Sequence, residues 1–117
     1  MIVSSSDVVA VDRFNDAING RDLDALAALM TDDHQFVDSE AATVDGKAAC
    51  VDAWRGFFAA FPDYRNVFEI VVSGAPGVVD VTGRSECSVP ELDGPARWRA
   101  VVRDGLIAVW QVFAVEP

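Results

Sequence analysis

Apolar residues near the start of the chain recur with helical spacing. Three residues suited to capping a helix, Ser5, Ser6 and Asp7, precede a run in which apolar side chains return every three or four positions up to Ile18. Asn19-Gly20 follows, and both residues tolerate the left-handed backbone that ends many helices. The spacing therefore predicts a first helix that ends at about residue 19.

A second helix and a strand are predicted directly after this turn. Asp22 is a suitable cap, and the apolar stripe that follows it includes Met30 before Thr31-Asp32-Asp33 ends the helix. Residues 34–38 then alternate as in a strand, which places the Asp38 carboxylate on the same side as His34. Residues 39–45 indicate a loop or short hairpin.

A third helix is predicted over residues 47–61, where Gly46 precedes it and Pro62-Asp63 interrupts the pattern. The rest of the chain is rich in branched residues and turn signals, of which Asp104-Gly105 is a strong hairpin turn. The predicted strands in this half are 67–73, 78–88, 96–103 and 106–115.

Alternation along two of these strands predicts which side chains face the interior. Trp98 and its alternate neighbours should point inward and leave Arg99 outside, while Val79, Val81, Gly83, Ser85 and Cys87 point inward from the preceding strand. Gly83 is a candidate bulge. A bulge there would reverse the later positions and turn Arg84 or Glu86 inward.

Three helices followed by an antiparallel meander are typical of an α+β fold. We predict a cone-shaped half-barrel over residues 1–117, a single domain in which a highly curved antiparallel sheet packs on three N-terminal helices. Such a cone retains an apolar cavity.

Charge and cysteine usage narrow the classes of partner. The formal net charge is −10, and residues 1–47 hold ten acids against three bases, which disfavours nucleic acid and anionic membranes as partners. Cys50, Cys87 and the single His34 are too few and too scattered for a zinc site, so we predict no metal. The first residues lack a basic segment, no apolar run reaches 18 residues, and the thiols suit a reducing compartment, which together predict the cytoplasm.

Asp38 is the candidate catalytic residue. A carboxylate that faces an apolar interior can act as a general base with a raised pKa, although an aspartate at a strand end can instead cap the following loop in solvent. His34, on the same face, could relay protons or could be a hydrogen-bonded wall residue.

Aromatic residues supply the candidate ligand-binding set. Trp54, Phe58, Trp98 and Trp110 are either core or the wall of a pocket for a flat or cyclic ligand. Phe14, on the apolar face of the first helix, is also a candidate ligand-binding residue. Tyr64 could place its hydroxyl at the cavity mouth or lie on the surface.

The chain resembles the nuclear transport factor 2-like superfamily, within its SnoaL-like branch. The resemblance rests on Phe14 with AINGRDLDALAALMTDD, VD at 37–38, Gly46, FPDYRN at 61–66 and VRDGLIAVW at 102–110. The resemblance implies the cone fold and a homodimer formed through the outer face of the sheet. It does not select one activity, because this fold hosts several kinds of enzyme and non-catalytic binding modules.

Two enzymes of this fold offer comparisons for the site. Similarity to ketosteroid isomerase implies a general base at Asp38, but its two oxyanion donors fall on Phe14 and at or beside Trp98, so steroid isomerisation by that mechanism is disfavoured. In the limonene epoxide hydrolase pattern Arg99 has a counterpart, but Val101 stands where a carboxylate is needed.

The SnoaL-like polyketide cyclases use a single acidic residue and no cofactor, which this chain could supply. The first hypothesis is therefore a cofactor-independent cyclase, isomerase or lyase that binds an apolar, carbonyl-bearing molecule. The alternative is a non-catalytic module for ligand binding or dimeric assembly.

Overall fold

A computed structural model describes residues 6–115 of the chain and confirms the α+β class. The helices are α1 (Ser6–Asn19), α2 (Leu23–Ala28) and α3 (Lys47–Ala60). The strands are β1 (Met30–Val37), β2 (Thr43–Asp45), β3 (Arg65–Ser73), β4 (Val78–Glu86), β5 (Gly94–Arg103) and β6 (Leu106–Phe113). A 3₁₀ turn covers Pro90–Leu92, within the predicted loop. Within residues 6–115, no helix is both long and apolar enough to cross a bilayer.

The six strands form one curved, unclosed sheet in the order β2-β1-β6-β5-β4-β3. Four strand pairs are antiparallel as predicted, but β1 and β6 run parallel, so the sheet is mixed. The parallel pair arises because the first and last long strands meet in the middle of the sheet, joined through α3 and the meander. Helix α1 packs across β3 to β6 and α3 packs on β1 and β2, which buries one face of the sheet.

The second helix is shorter than predicted. Asp22 caps it as expected, accepting the Ala25 N–H at 3.0 Å. However, α2 ends at Ala28, and Met30 is the fully buried first residue of β1. The helix ends here because residues 29 and 30 pair with β6: the Ile107 N–H donates to the Leu29 carbonyl at 2.7 Å.

The turn between α1 and α2 also differs from the prediction. The left-handed residue is Arg21, with φ of 53°, rather than Asn19 or Gly20. Asn19 instead brackets the backbone of β3: its side chain donates to the Asn66 carbonyl at 2.9 Å and accepts the Asn66 N–H at 2.8 Å. The candidate cap Ser5 lies outside the described residues.

The predicted inward and outward faces of β4 and β5 are confirmed, but the predicted position of a bulge, at Gly83, is wrong. Phe68 pairs with Gly83 and Ile70 with Thr82, so the extra residue is Glu69 on β3. Because β4 itself is regular, the side chains of Arg84 and Glu86 stay on the outer face, where they pair with each other at 2.7 Å. Arg99 also lies outside and pairs across strands with Asp80 at 2.7 Å.

Candidate functional site

A cavity of about 270 Å³ lies between α3, the β1–β2 hairpin and the concave face of the sheet. The 3₁₀ turn contributes Leu92 to its lining. The lining residues are Phe36, Asp38, Ser39, Val44, Cys50, Ala53, Trp54, Phe57, Tyr64, Leu92, Trp98, Trp110 and Val112. Most of this surface is apolar, so the hollow expected from a cone-shaped fold is present.

Four of the predicted ligand-binding aromatics line the cavity, and two do not. Trp54, Tyr64, Trp98 and Trp110 form part of its wall. Phe14 is fully buried behind Trp110, with 4.8 Å between ring centroids. Phe58 lies outside the lining too, packed between the Trp54 ring at 5.4 Å and the Arg21 guanidinium at 5.7 Å.

Two lining aromatics, Phe36 and Phe57, were not among the predicted site residues. Phe36 follows the alternation of a strand and Phe57 the spacing of a helix, and both patterns are visible in the sequence. Spacing alone does not separate rings that face the cavity from rings that fill the core.

Asp38 lies one residue beyond the end of β1, in the turn that leads to β2. One carboxylate oxygen, Oδ1, accepts the backbone N–H groups of Glu40 at 2.8 Å and Ala42 at 2.9 Å. The Asp38 backbone also bonds to both Ala41 and Ala42. The residue thus caps the loop, as one reading of the sequence held, and it is also part of the cavity lining. Its second oxygen has no hydrogen-bond partner within residues 6–115.

His34 lies behind the cavity wall and is not part of the lining. Its ring is fully buried, and Nδ1 donates to the Ile107 carbonyl at 2.7 Å, which fixes the proton on that nitrogen. Burial lowers the pKa of His34, so the ring is neutral at physiological pH. Nε2 is buried without a partner among the described residues. The structure therefore does not place this imidazole beside the Asp38 carboxylate in the cavity.

A buried polar chain begins at Tyr64. Its hydroxyl lies 3.1 Å from the Ser85 hydroxyl, which donates to Asn66 Oδ1 at 2.8 Å. Burial raises the pKa of Tyr64, which keeps the phenol protonated. Sequence reasoning missed this group, although strand parity places Asn66 on the same side as Tyr64 and had already placed Ser85 inside.

The family model for the SnoaL-like domain matches residues 11–110. The chain belongs to the SnoaL-like domain family. Among curated proteins, none matches this sequence.

Solved structures share the fold of this SnoaL-like domain at low sequence identity. A Sinorhizobium meliloti protein provisionally named a polyketide cyclase has a TM-score of 0.80 at 20% identity, covering 92% of this chain and 98% of its own. A provisionally named ketosteroid isomerase from Kribbella flavida has a TM-score of 0.74 at 18% identity, covering 96% and 82%. TerC, co-crystallised with polyporic acid, has a TM-score of 0.79 at 16% identity, covering 95% and 92%.

The chemical groups that this SnoaL-like domain presents to its cavity are few. The lining residues with polar or ionisable side chains are Asp38, Ser39, Tyr64 and Cys50. Burial raises the pKa of the Cys50 thiol, whose Sγ lies 3.3 Å from the Val44 carbonyl, so it remains uncharged. Within residues 6–115, no three His, Cys, Asp or Glu side chains lie close enough together to hold a metal ion. The arrangement can bind an apolar ligand, and Asp38 is its one charged group.

Proposed function

We propose that this SnoaL-like domain binds a small, apolar ring compound in the cavity beneath α3. The observation that carries the proposal is a hollow of about 270 Å³ walled by Trp54, Trp98 and Trp110. Ligand pockets are typically concave and apolar with a few polar groups, and their volumes begin at roughly 300 Å³. Several rings around one space favour flat or cyclic ligands. The co-crystal of TerC with polyporic acid supports the use of this fold for small organic ligands.

Filling the cavity from α3 tests this proposal. Ala53 lines the cavity yet is exposed, so an Ala53→Phe side chain can enter the hollow without displacing core residues. We expect 1-naphthylmethanol to raise the melting temperature of the wild type and to lose at least about tenfold in affinity for this variant. Thermal shift and isothermal titration calorimetry measure the two effects.

Ala49→Phe is the matched control. Ala49 is exposed on the same helix but is not part of the cavity lining, so the added ring should leave naphthyl binding unchanged. Binding that survives Ala53→Phe, or falls equally in both variants, would place the ligand elsewhere.

A second candidate function is proton transfer by Asp38. The place of Asp38 among the lining residues and an Oδ2 atom without a hydrogen-bond partner in the described part of the chain favour it, because a general base needs a free lone pair within reach of the substrate. His34 lies behind the wall, so any help from it would be indirect, while Tyr64 lines the same cavity. The reaction would be abstraction of a proton next to a carbonyl group.

Deuterium exchange tests this second function directly. We expect the protein to accelerate exchange of the α-protons of 2-tetralone in D₂O, and Asp38→Asn to lower that acceleration by about 10²-fold or more. Asparagine retains an oxygen that can accept the Glu40 and Ala42 N–H groups, so the turn should persist. NMR follows the exchange. Acceleration that is absent from the wild type, or unchanged in the variant, would exclude Asp38 as the base.

Two further expectations remain proposals. A homodimer through the outer face of the sheet is supported by the apolar residues Ile70 and Val72 of β3, which are 58% and 51% exposed. Sedimentation equilibrium would reveal a monomer if this is wrong. A cytoplasmic location is supported by the free thiols of Cys50 and Cys87, and fractionation of the source cells would test it.

A further inference from the structure

The cavity lining carries one charged side chain, and it is negative. Of the lining residues, which all lie within residues 6–115, Asp38 is acidic and none is lysine or arginine. A carboxylate ligand would therefore meet a negative potential with no cation to pair with.

The basic residues, including the exposed Arg13 of α1, all lie outside the cavity lining. Lys47, at the start of α3, lies 3.6 Å from Asp32, and Arg55 pairs with Asp52 at 2.8 Å. The Arg21 guanidinium donates to the Pro62 carbonyl. The exposed arginines of the sheet are Arg65, Arg84, Arg97, Arg99 and Arg103. None of these residues belongs to the lining, so no lysine or arginine of the lining pairs with Asp38.

The Asp38 carboxylate is prepared to receive a hydrogen-bond donor. Two backbone N–H groups hold Oδ1 and fix the plane of the group, while Oδ2 has no partner among residues 6–115. The faces of Trp, Tyr and Phe rings carry negative electrostatic potential and attract cations, and six of the thirteen lining residues carry such a ring. A cation beside Asp38 would gain from both features.

We propose that the cavity selects apolar ring compounds whose head group is a protonated amine, with the ammonium on Asp38 Oδ2 and the ring among Trp54, Trp98 and Trp110. The inference rests on the proposed binding function and adds the charge class of the ligand. A neutral hydroxyl can make the same hydrogen bond without the ionic attraction. A carboxylate can make neither interaction.

Three naphthalenes that differ only in head group test the selectivity: 1-naphthylmethylamine, 1-naphthylmethanol and 1-naphthoic acid. At neutral pH and low salt, calorimetry should give the order amine, alcohol, acid, with the amine at least about tenfold tighter than the acid. Added salt should narrow this ratio, since it screens exposed charges. Asp38→Asn should reduce the ratio to about threefold or less.

Glu40→Gln is the control, because it removes the same charge from an exposed neighbour in the same turn and should change the ratio by less than about twofold. An acid that binds as tightly as the amine, or a ratio that Asp38→Asn leaves intact, overturns the selectivity while binding of the alcohol still stands. Failure of all three probes to bind overturns the binding proposal and the selectivity with it.

Discussion

Replacing Gly83 with alanine is expected to abolish folding or to cost at least about 4 kcal/mol of unfolding free energy. A Cβ atom at this position would lie 2.0 Å from the Val67 carbonyl oxygen and 3.1 Å from the Phe68 Cα. Both contacts are with the backbone of β3, which cannot rotate away as a side chain could. The bulge at Glu69 brings that backbone close, so relief would require unpairing β3 from β4.

Gly56→Ala is the matched control for this substitution. Gly56 is an exposed residue of α3, and an added Cβ would meet nothing within 4 Å. Alanine should therefore raise the unfolding free energy by about 0.5–1 kcal/mol, the usual gain inside a helix. Urea denaturation compares the two variants. Equal and small effects would show that β3 moves aside at Gly83 with little cost.

Gly83 also shows which features of a strand can be predicted from the sequence and which cannot. Alternation correctly assigned the inner and outer faces of β4 because one face of the strand is buried. The glycine signalled that something lies close by, but a single strand does not reveal whether it or its neighbour carries the extra residue. Only the pairing of Phe68 with Gly83 decides that, and this pairing is not local.

The end of α2 illustrates the same limit for helices. Apolar spacing extended the predicted helix through Met30, whereas the structure gives this residue to β1. The deciding contact is with Ile107, 77 positions later, and local periodicity carries no information on it. The parallel pairing of β1 with β6 escaped prediction for the same reason.

The sequence predicted which residues of the candidate site are buried better than it predicted which of them border the cavity. Burial of aromatic rings follows from spacing, so both Trp98 and Phe14 were identified as interior residues. Whether an interior ring borders a void depends on how the curved sheet and α3 leave space, which is a property of the whole fold. His34 and Asp38 were placed on one face by alternation, yet the strand ends at Val37 and the turn takes Asp38 to the cavity while His34 lies behind its wall.

Trp110→Ala should be the second most damaging of the changes considered. The Trp110 side chain is fully buried, with ring centroids 4.8 Å from Phe14, 6.2 Å from Phe68 and 6.5 Å from Trp98. Truncating a buried tryptophan typically costs about 3–5 kcal/mol, because transfer energy is lost and a void is left. We expect a loss in that range by urea denaturation, together with weaker binding of 1-naphthylmethanol.

Phe113→Ala, on the same strand, separates this effect from a general weakening of β6. Phe113 is only partly buried and contacts the Arg97 guanidinium at 5.1 Å, so its loss should cost about 1 kcal/mol and leave binding intact.

For Trp110, stability and naphthyl binding are measured separately, which distinguishes its role in the core from its role at the cavity. Because it packs against Phe14 on one side and borders the cavity on another, we expect both stability and binding to fall. A variant that loses binding but less than about 1 kcal/mol of stability would mean that the ring serves the ligand and is not needed by the core.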